Sequence, residues 1–245
     1  AVDKRRIKNF PPVFKEYGLD HVRWGTHTRM DEADARLYDM AESGCVYIGF
    51  GAESAAADTL KNMKKGGFIL KNGMTPTKIN GRVYEFPTTM VNAVKNCRDT
   101  NIHANCTWIM AYPGETLEDL QTSVAFITWQ QNFWTKGTTA GTSEYDIMRS
   151  GVNRKMFTAT AYPGTEMWNV VKPQLQEHFD ISFNAFGQPE CDDNFHHYVL
   201  ELDDATKILN DKKGNPVNFG ELPLDTFLQA REYIDSDQIE KILDI

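Results

Sequence analysis

The sequence predicts an α/β protein. Parallel strands alternate with covering helices, as in a TIM-like βα barrel, and an irregular, partly helical C-terminal extension follows. Three observations carry this reading. Short apolar runs rich in β-branched and aromatic residues, at 45–50, 104–111 and 156–161, read as strands buried on both faces. Each run leads into a glycine-containing exit: GAES at 51–54, YPGE at 112–115 and YPGT at 162–165. A helical pattern follows each exit, which places three strand ends on one rim of a parallel sheet, the rim where βα architectures bind ligands.

A chain of 245 residues is long enough for one main domain with a substantial core. Lys plus Arg is 26 against 34 for Asp plus Glu, a net charge of −8, which leaves no basic footprint for nucleic acid or an anionic membrane. No run approaches the ~18 apolar residues of a membrane span, and the opening AVDKRRIKNF lacks the apolar stretch of a signal peptide, so a cytoplasmic setting is expected. Cys45, Cys97, Cys106 and Cys191 show no close pairing and read as reduced thiols.

Along the chain, residues 3–17 read as a charged helix interrupted at Pro11-Pro12 and ending near Gly18. A strand over 21–28 precedes a helix over 29–42, with Met30, Ala33, Leu37 and Met40 on one face. The next strand is CVYIGFGAES, and the helix after it ends at Gly66-Gly67. Residues 68–86 carry Gly73, Pro76 and Gly81 among polar residues and read as a long loop on the rim. A helix from Thr88 to about Asp99, the strand over 104–111, an amphipathic helix over 115–129 and the strand over 156–161 complete the pattern. Beyond 170 the rhythm fades until a last helical stretch at 223–243.

The strand exits hold the candidate site. Gly49 and Gly51 weaken a strand, which points to a neighbouring backbone or a ligand coming close. Glu53, Ser54 and Thr165 offer polar contacts beside that bare backbone. The alternative is plain turn chemistry, with Ser54 or Glu53 capping the next helix and each Pro-Gly pair shaping a strand exit.

Taken in order, these phrases resemble the radical S-adenosylmethionine enzymes, closest to the branch that carries a cobalamin-binding domain before its barrel. The matching residues are Arg29-Met30-Asp31, the phrase from Ser43-Gly44-Cys45 to Glu53-Ser54 with Lys65-Gly66 after it, PGET at 113–116 and YPGT at 162–165. The resemblance covers roughly residues 1–170. It implies S-adenosylmethionine as cofactor, a small-molecule substrate, and radical chemistry such as methyl transfer or oxidoreduction. It also implies a [4Fe-4S] cluster, with cobalamin possible, in the parent enzyme. Carried over residue by residue, Glu53 and Ser54 contact the methionyl or ribose part and Arg29 faces the carboxylate. Gly51 admits the ligand, while Tyr112 and Tyr162, with the turns at Gly114 and Gly164, shape the adenine side. No catalytic residue is assigned.

The CxxxCxxC loop whose thiolates hold the family's cluster has no counterpart among the four cysteines. The first recognisable unit corresponds to the family's segment after its second strand. The sequence therefore reads as a fragment: an incomplete barrel over 1–169 and an extension over 170–245, inactive alone, with an unpaired sheet edge that invites self-association. Two other functions compete with this reading. One is a degenerate barrel acting as a binding or scaffold module. The other is a hydrolase or lyase using Glu53 and Glu115 as acid and base, although Glu115 at a helix start is explained by the dipole alone. Residues 191–197 (CDDNFHH) show only one half of a zinc pattern and read as a surface loop or lid without metal. Trp129, Phe133 and Trp134 read as core or interface, and His27 and His103 as core histidines within reach of a ligand.

Overall fold

The structure, a computed structural model, describes residues 4–202 and 208–245. Helix α1 (Lys4–Glu16) runs unbroken through Pro11 and Pro12, where an interruption is predicted. The fixed φ of proline is compatible with a helix although each ring removes a backbone donor, and Ile7 and Phe10 anchor the helix on the core. After β1 (Trp24–Thr28), a short 3-10 turn (Met30–Glu32) and α2 (Arg36–Glu42) replace the single expected helix. The Asp34 carboxylate accepts the Arg36 backbone N–H at 3.1 Å and starts the helix afresh.

Strand β2 (Cys45–Glu53) leads to α3 (Ala57–Asn62) and α4 (Gly66–Ile69), so Gly66 and Gly67 open a helix rather than end one. The predicted loop at 68–86 is an antiparallel hairpin, β3 (Met74–Ile79) and β4 (Arg82–Pro87), with Ile79 paired to Arg82. Its turn is Asn80-Gly81, both at positive φ (47° and 87°), the geometry that matches the twist of a two-residue hairpin. Helix α5 (Thr88–Asp99) takes its expected bounds, and β5 (His103–Met110) follows. Helix α6 (Leu117–Trp134) begins at a reciprocal cap, with Thr116 accepting from the Asp119 backbone and Asp119 from that of Thr116. The chain continues through α7 (Ser143–Ser150), β6 (Met156–Thr158), α8 (Glu166–Val170), α9 (Lys172–Phe179) and α10 (Asp193–Glu201). It closes with α11 (Leu224–Asp235) and a 3-10 turn (Ile239–Asp244).

Four strands form one parallel sheet in the order β1-β2-β5-β6, the α/β arrangement that the apolar runs predict. Strand β5 shows how its faces differ. Ala104, Cys106, Trp108 and Met110 are buried against helices, whereas His103, Asn105, Thr107 and Ile109 alternate with them and are half-buried. Phe126 of α6 packs on Trp108 at 5.6 Å between ring centres and on Phe86 of the hairpin at 5.1 Å. The C-terminal helices join this first core through Phe227, Ile234, Ile239 and Ile242. A second core gathers Trp168, Phe179, Tyr198 and Phe219, and the Tyr198 hydroxyl donates to the Ala161 carbonyl at 2.8 Å. All four cysteines are free thiols. Among the described residues no helix is long and apolar enough to cross a membrane.

Candidate functional site at the strand exits

Strand β2 breaks register with β5 between Gly51 and Glu53, and Glu53 adopts φ +65°. This bulge re-aims the side chain and folds the carboxylate back over Gly51, where an added Cβ would lie 2.8 Å from Glu53 Oε1. Lys65 Nζ donates to the same oxygen at 2.5 Å. The space above Gly49 is likewise taken by a neighbour, since a Cβ there would lie 2.7 Å from His27 Nε2. The bare backbone foreseen in the sequence is thus covered by two polar side chains from the protein itself.

Glu53 stands between two cavities. One, of about 420 Å³, is lined by Glu53, Thr107, Ile109, Tyr112, Phe157 and Tyr162, and is mostly apolar. The other, of about 180 Å³, is lined by Arg29, Gly51, Lys64, Lys65 and Phe68. Gly51 and Lys65, both in contact with the Glu53 carboxylate, belong to the second cavity, so the two adjoin at the Glu53–Lys65 pair.

Arg29 lies with its guanidinium 3.9 Å above the centre of the Phe68 ring. It forks onto Asp31, Nε to Oδ1 at 2.9 Å and Nη2 to Oδ2 at 2.6 Å, and this hydrogen bonding holds Asp31 below the usual carboxylate range. Tyr112 and Tyr162 both line the larger cavity, and burial pushes the Tyr112 phenol up. Ser54 is placed elsewhere. It is 0% exposed, lines neither cavity, shares a hydrogen bond of 3.1 Å with Ser123 Oγ and accepts the Ala56 N–H at 3.1 Å. Its chemistry is that of the turn. Gly114 and Gly164 both hold positive φ in their Pro-Gly turns, +81° and +85°. Gly114 borders a separate polar cleft beside the hairpin, and a Cβ there would lie 2.9 Å from Asn62 Nδ2.

Glu115 lines neither cavity. Its fully buried carboxylate accepts the Ala111 backbone N–H at 2.5 Å, its other oxygen has no hydrogen-bond partner among the described residues, and burial pushes it up to about 8. The structure does not bring it together with Glu53 as an acid and base pair. Asp192, in the segment at 191–197, caps α10 by accepting the Phe195 N–H at 2.9 Å. Among the described residues no group of three or more His, Cys, Asp and Glu side chains is placed to hold a metal ion.

Sequence reasoning missed Lys64, Lys65, Phe68, Ile109 and Phe157 as wall residues. The Lys64-Lys65 pair was legible only as a helix end. The alternation of β5 and β6, which sends Thr107, Ile109 and Phe157 to the open face, was hidden in runs that read as apolar throughout.

No family model matches the chain. A protein of Pyrococcus horikoshii named uncharacterized methyltransferase PH0819 is 25% identical over 170 residues, which are 69% of this chain and 28% of that protein. The chain thus spans less than a third of the methyltransferase it matches. Two solved structures are also similar. The radical S-adenosylmethionine methyltransferase TsrM of Kitasatospora setae, with cobalamin and a [4Fe-4S] cluster bound, aligns over 71% of this chain and 28% of its own, at 14% identity and TM-score 0.44. Elp3 of Methanocaldococcus infernus aligns over 96% and 49%, at 12% identity and TM-score 0.43. The chain resembles the radical S-adenosylmethionine enzymes in the order of its strand-exit phrases, and its sequence is similar to that of a methyltransferase.

Proposed function

We propose that the strand exits form the S-adenosylmethionine-binding wall of a radical enzyme of the methyltransferase type. The observation that carries this reading is Glu53, standing between an apolar cavity and a cation-lined one. S-adenosylmethionine combines a flat adenine, a ribose with two hydroxyls, and an amino-acid group bearing an ammonium and a carboxylate. The donor set suits each part. Tyr112, Tyr162, Ile109 and Phe157 offer apolar surface to the ring. The Glu53 carboxylate accepts hydrogen bonds from hydroxyls or the ammonium, and Arg29 and Lys65 line the adjoining cavity for the carboxylate. When bound at a reduced iron-sulfur cluster, the cofactor supplies a deoxyadenosyl radical.

The thiols of this chain do not fit such a cluster. Cys45, Cys97 and Cys106 are buried, and burial pushes all three thiols up, Cys106 to about 12. Cys191 is exposed beside the start of α10. This chain's part is to bind and orient the nucleoside, and by itself it is expected to bind without turnover. The parallel sheet, whose spatial order follows the chain, supports reading it as part of a βα barrel.

Calorimetric titration with S-adenosylhomocysteine tests the proposal without needing activity. The wild-type chain binds, Glu53→Gln weakens binding about tenfold by losing a charge-assisted contact, and Ser54→Ala, if folded, leaves it unchanged. Absence of binding to the wild type, or equal binding by Glu53→Gln, refutes it.

A further inference from the structure

We propose that Lys64 and Glu166 form a latch that closes across the seam of the two cavities. The two side chains form an ion pair while being 70% and 54% exposed, so the link lies on the outside of the rim. Lys64 belongs to the wall of the cationic cavity. Glu166 opens α8, directly between Thr165 and Met167, which line the apolar cavity. The pair therefore joins the unit after β2 to the unit after β6, and β5 lies between those strands in the sheet. Tyr112, from the exit of β5, lines the same apolar cavity as Thr165 and Met167, the residues on either side of Glu166.

The backbone at Lys64 sharpens the case. Lys64 holds φ +57°, with its N–H donating to the Lys61 carbonyl at 2.9 Å, the left-handed position after a helix where glycine is favoured. A lysine there gives up conformational ease, and what it gains in this fold is the reach to Glu166. A ligand lying in both cavities would pass beneath the pair, so the latch's role toward a nucleoside, though not the closure itself, rests on the site proposed above.

The test separates the two. A cysteine is placed on the apolar wall (Ala159→Cys) in a Cys191→Ser chain, and its labelling by a chromogenic aromatic disulfide is followed with Lys64→Gly, with Glu166→Gln and with the swap Lys64→Glu/Glu166→Lys. Lys64→Gly suits the left-handed backbone and so keeps the fold. Labelling is expected to quicken about two- to fivefold in either single variant, the range open to an exposed ion pair. It should return toward the parent rate in the swap, and the difference should vanish at high salt. Equal labelling rates in parent and single variants overturn the latch, as does a salt-independent difference. S-adenosylhomocysteine association rates in the same variants then report on the ligand. Failure to bind in the parent, with labelling behaving as expected, overturns the nucleoside reading and leaves the latch standing.

Discussion

Glu115→Gln should change the pH dependence of stability more than any other single change at the strand exits. Burial, the largest cause, raises the Glu115 carboxyl from 4.5 to about 8; the Ala111 N–H opposes this and Asp119 adds to it. Its folded-state value lies above its unfolded one. Between the two, the folded chain keeps a proton that the unfolded chain has released, so stability falls as pH rises. The slope from this one group is about 1.4 kcal/mol per pH unit. The cumulative loss is on the order of 3 kcal/mol at pH 7 and levels off above pH 8. Glutamine keeps an acceptor for the Ala111 N–H and cannot ionise, so the variant escapes this loss. Urea unfolding followed by tryptophan fluorescence, in steps from pH 5 to pH 9, gives the difference between parent and variant, in which the other titrating groups cancel. The variant should match the parent near pH 5 and become the more stable as pH rises. A difference that stays flat, or that favours the parent at high pH, refutes the assignment of a buried, proton-holding Glu115.

Three further outcomes follow from packing. Gly49→Ala sets a methyl against the His27 ring and should cost about 1–2 kcal/mol in urea unfolding, most of it recovered by adding His27→Ala. Ser54→Ala removes a buried hydroxyl that serves Ser123 and Ala56, and should cost about 1–3 kcal/mol while leaving S-adenosylhomocysteine binding unchanged. Gly81→Ala forces a methyl-bearing residue into the left-handed turn of the hairpin and should lower stability by about 1 kcal/mol without altering binding.

The parallel strands, α5 and the three glycine-bearing exits were legible because apolar runs and Pro-Gly punctuation are local signals. The hairpin at 74–87 was equally local, since Asn80-Gly81 between alternating residues is a strong hairpin signature. It was lost because Gly73 and Pro76 drew the whole stretch toward a loop, yet Pro76 is tolerated in a strand of a two-stranded hairpin. The fate of Ser54 and Glu53 could not be read from their adjacency. A bulge of one residue sends Glu53 to the open rim and Ser54 into the core against Ser123, which lies 69 positions away in sequence. The covering of Gly49 by His27 was out of reach for the same reason, because it depends on the register of β1 against β2.

That covering changes what the glycines do. Gly49 and Gly51 make room for His27 and for the Glu53 carboxylate, so a ligand meets an occupied rim rather than bare backbone. Glu53 is already satisfied by Lys65, and a ligand must replace that contact with one at least as good. On the proposed reading an amino-acid group does so on both sides, its ammonium taking Glu53 while its carboxylate takes Lys65 and Arg29. The exchange of one ion pair for two adds little net affinity, since each new contact is offset by desolvation. A ligand bearing only one of the two charges would leave either Glu53 or Lys65 without its partner, at about 1–3 kcal/mol. If the site binds as proposed, the pair acts chiefly on selectivity, favouring the zwitterion by a factor that its binding constant alone would not reveal.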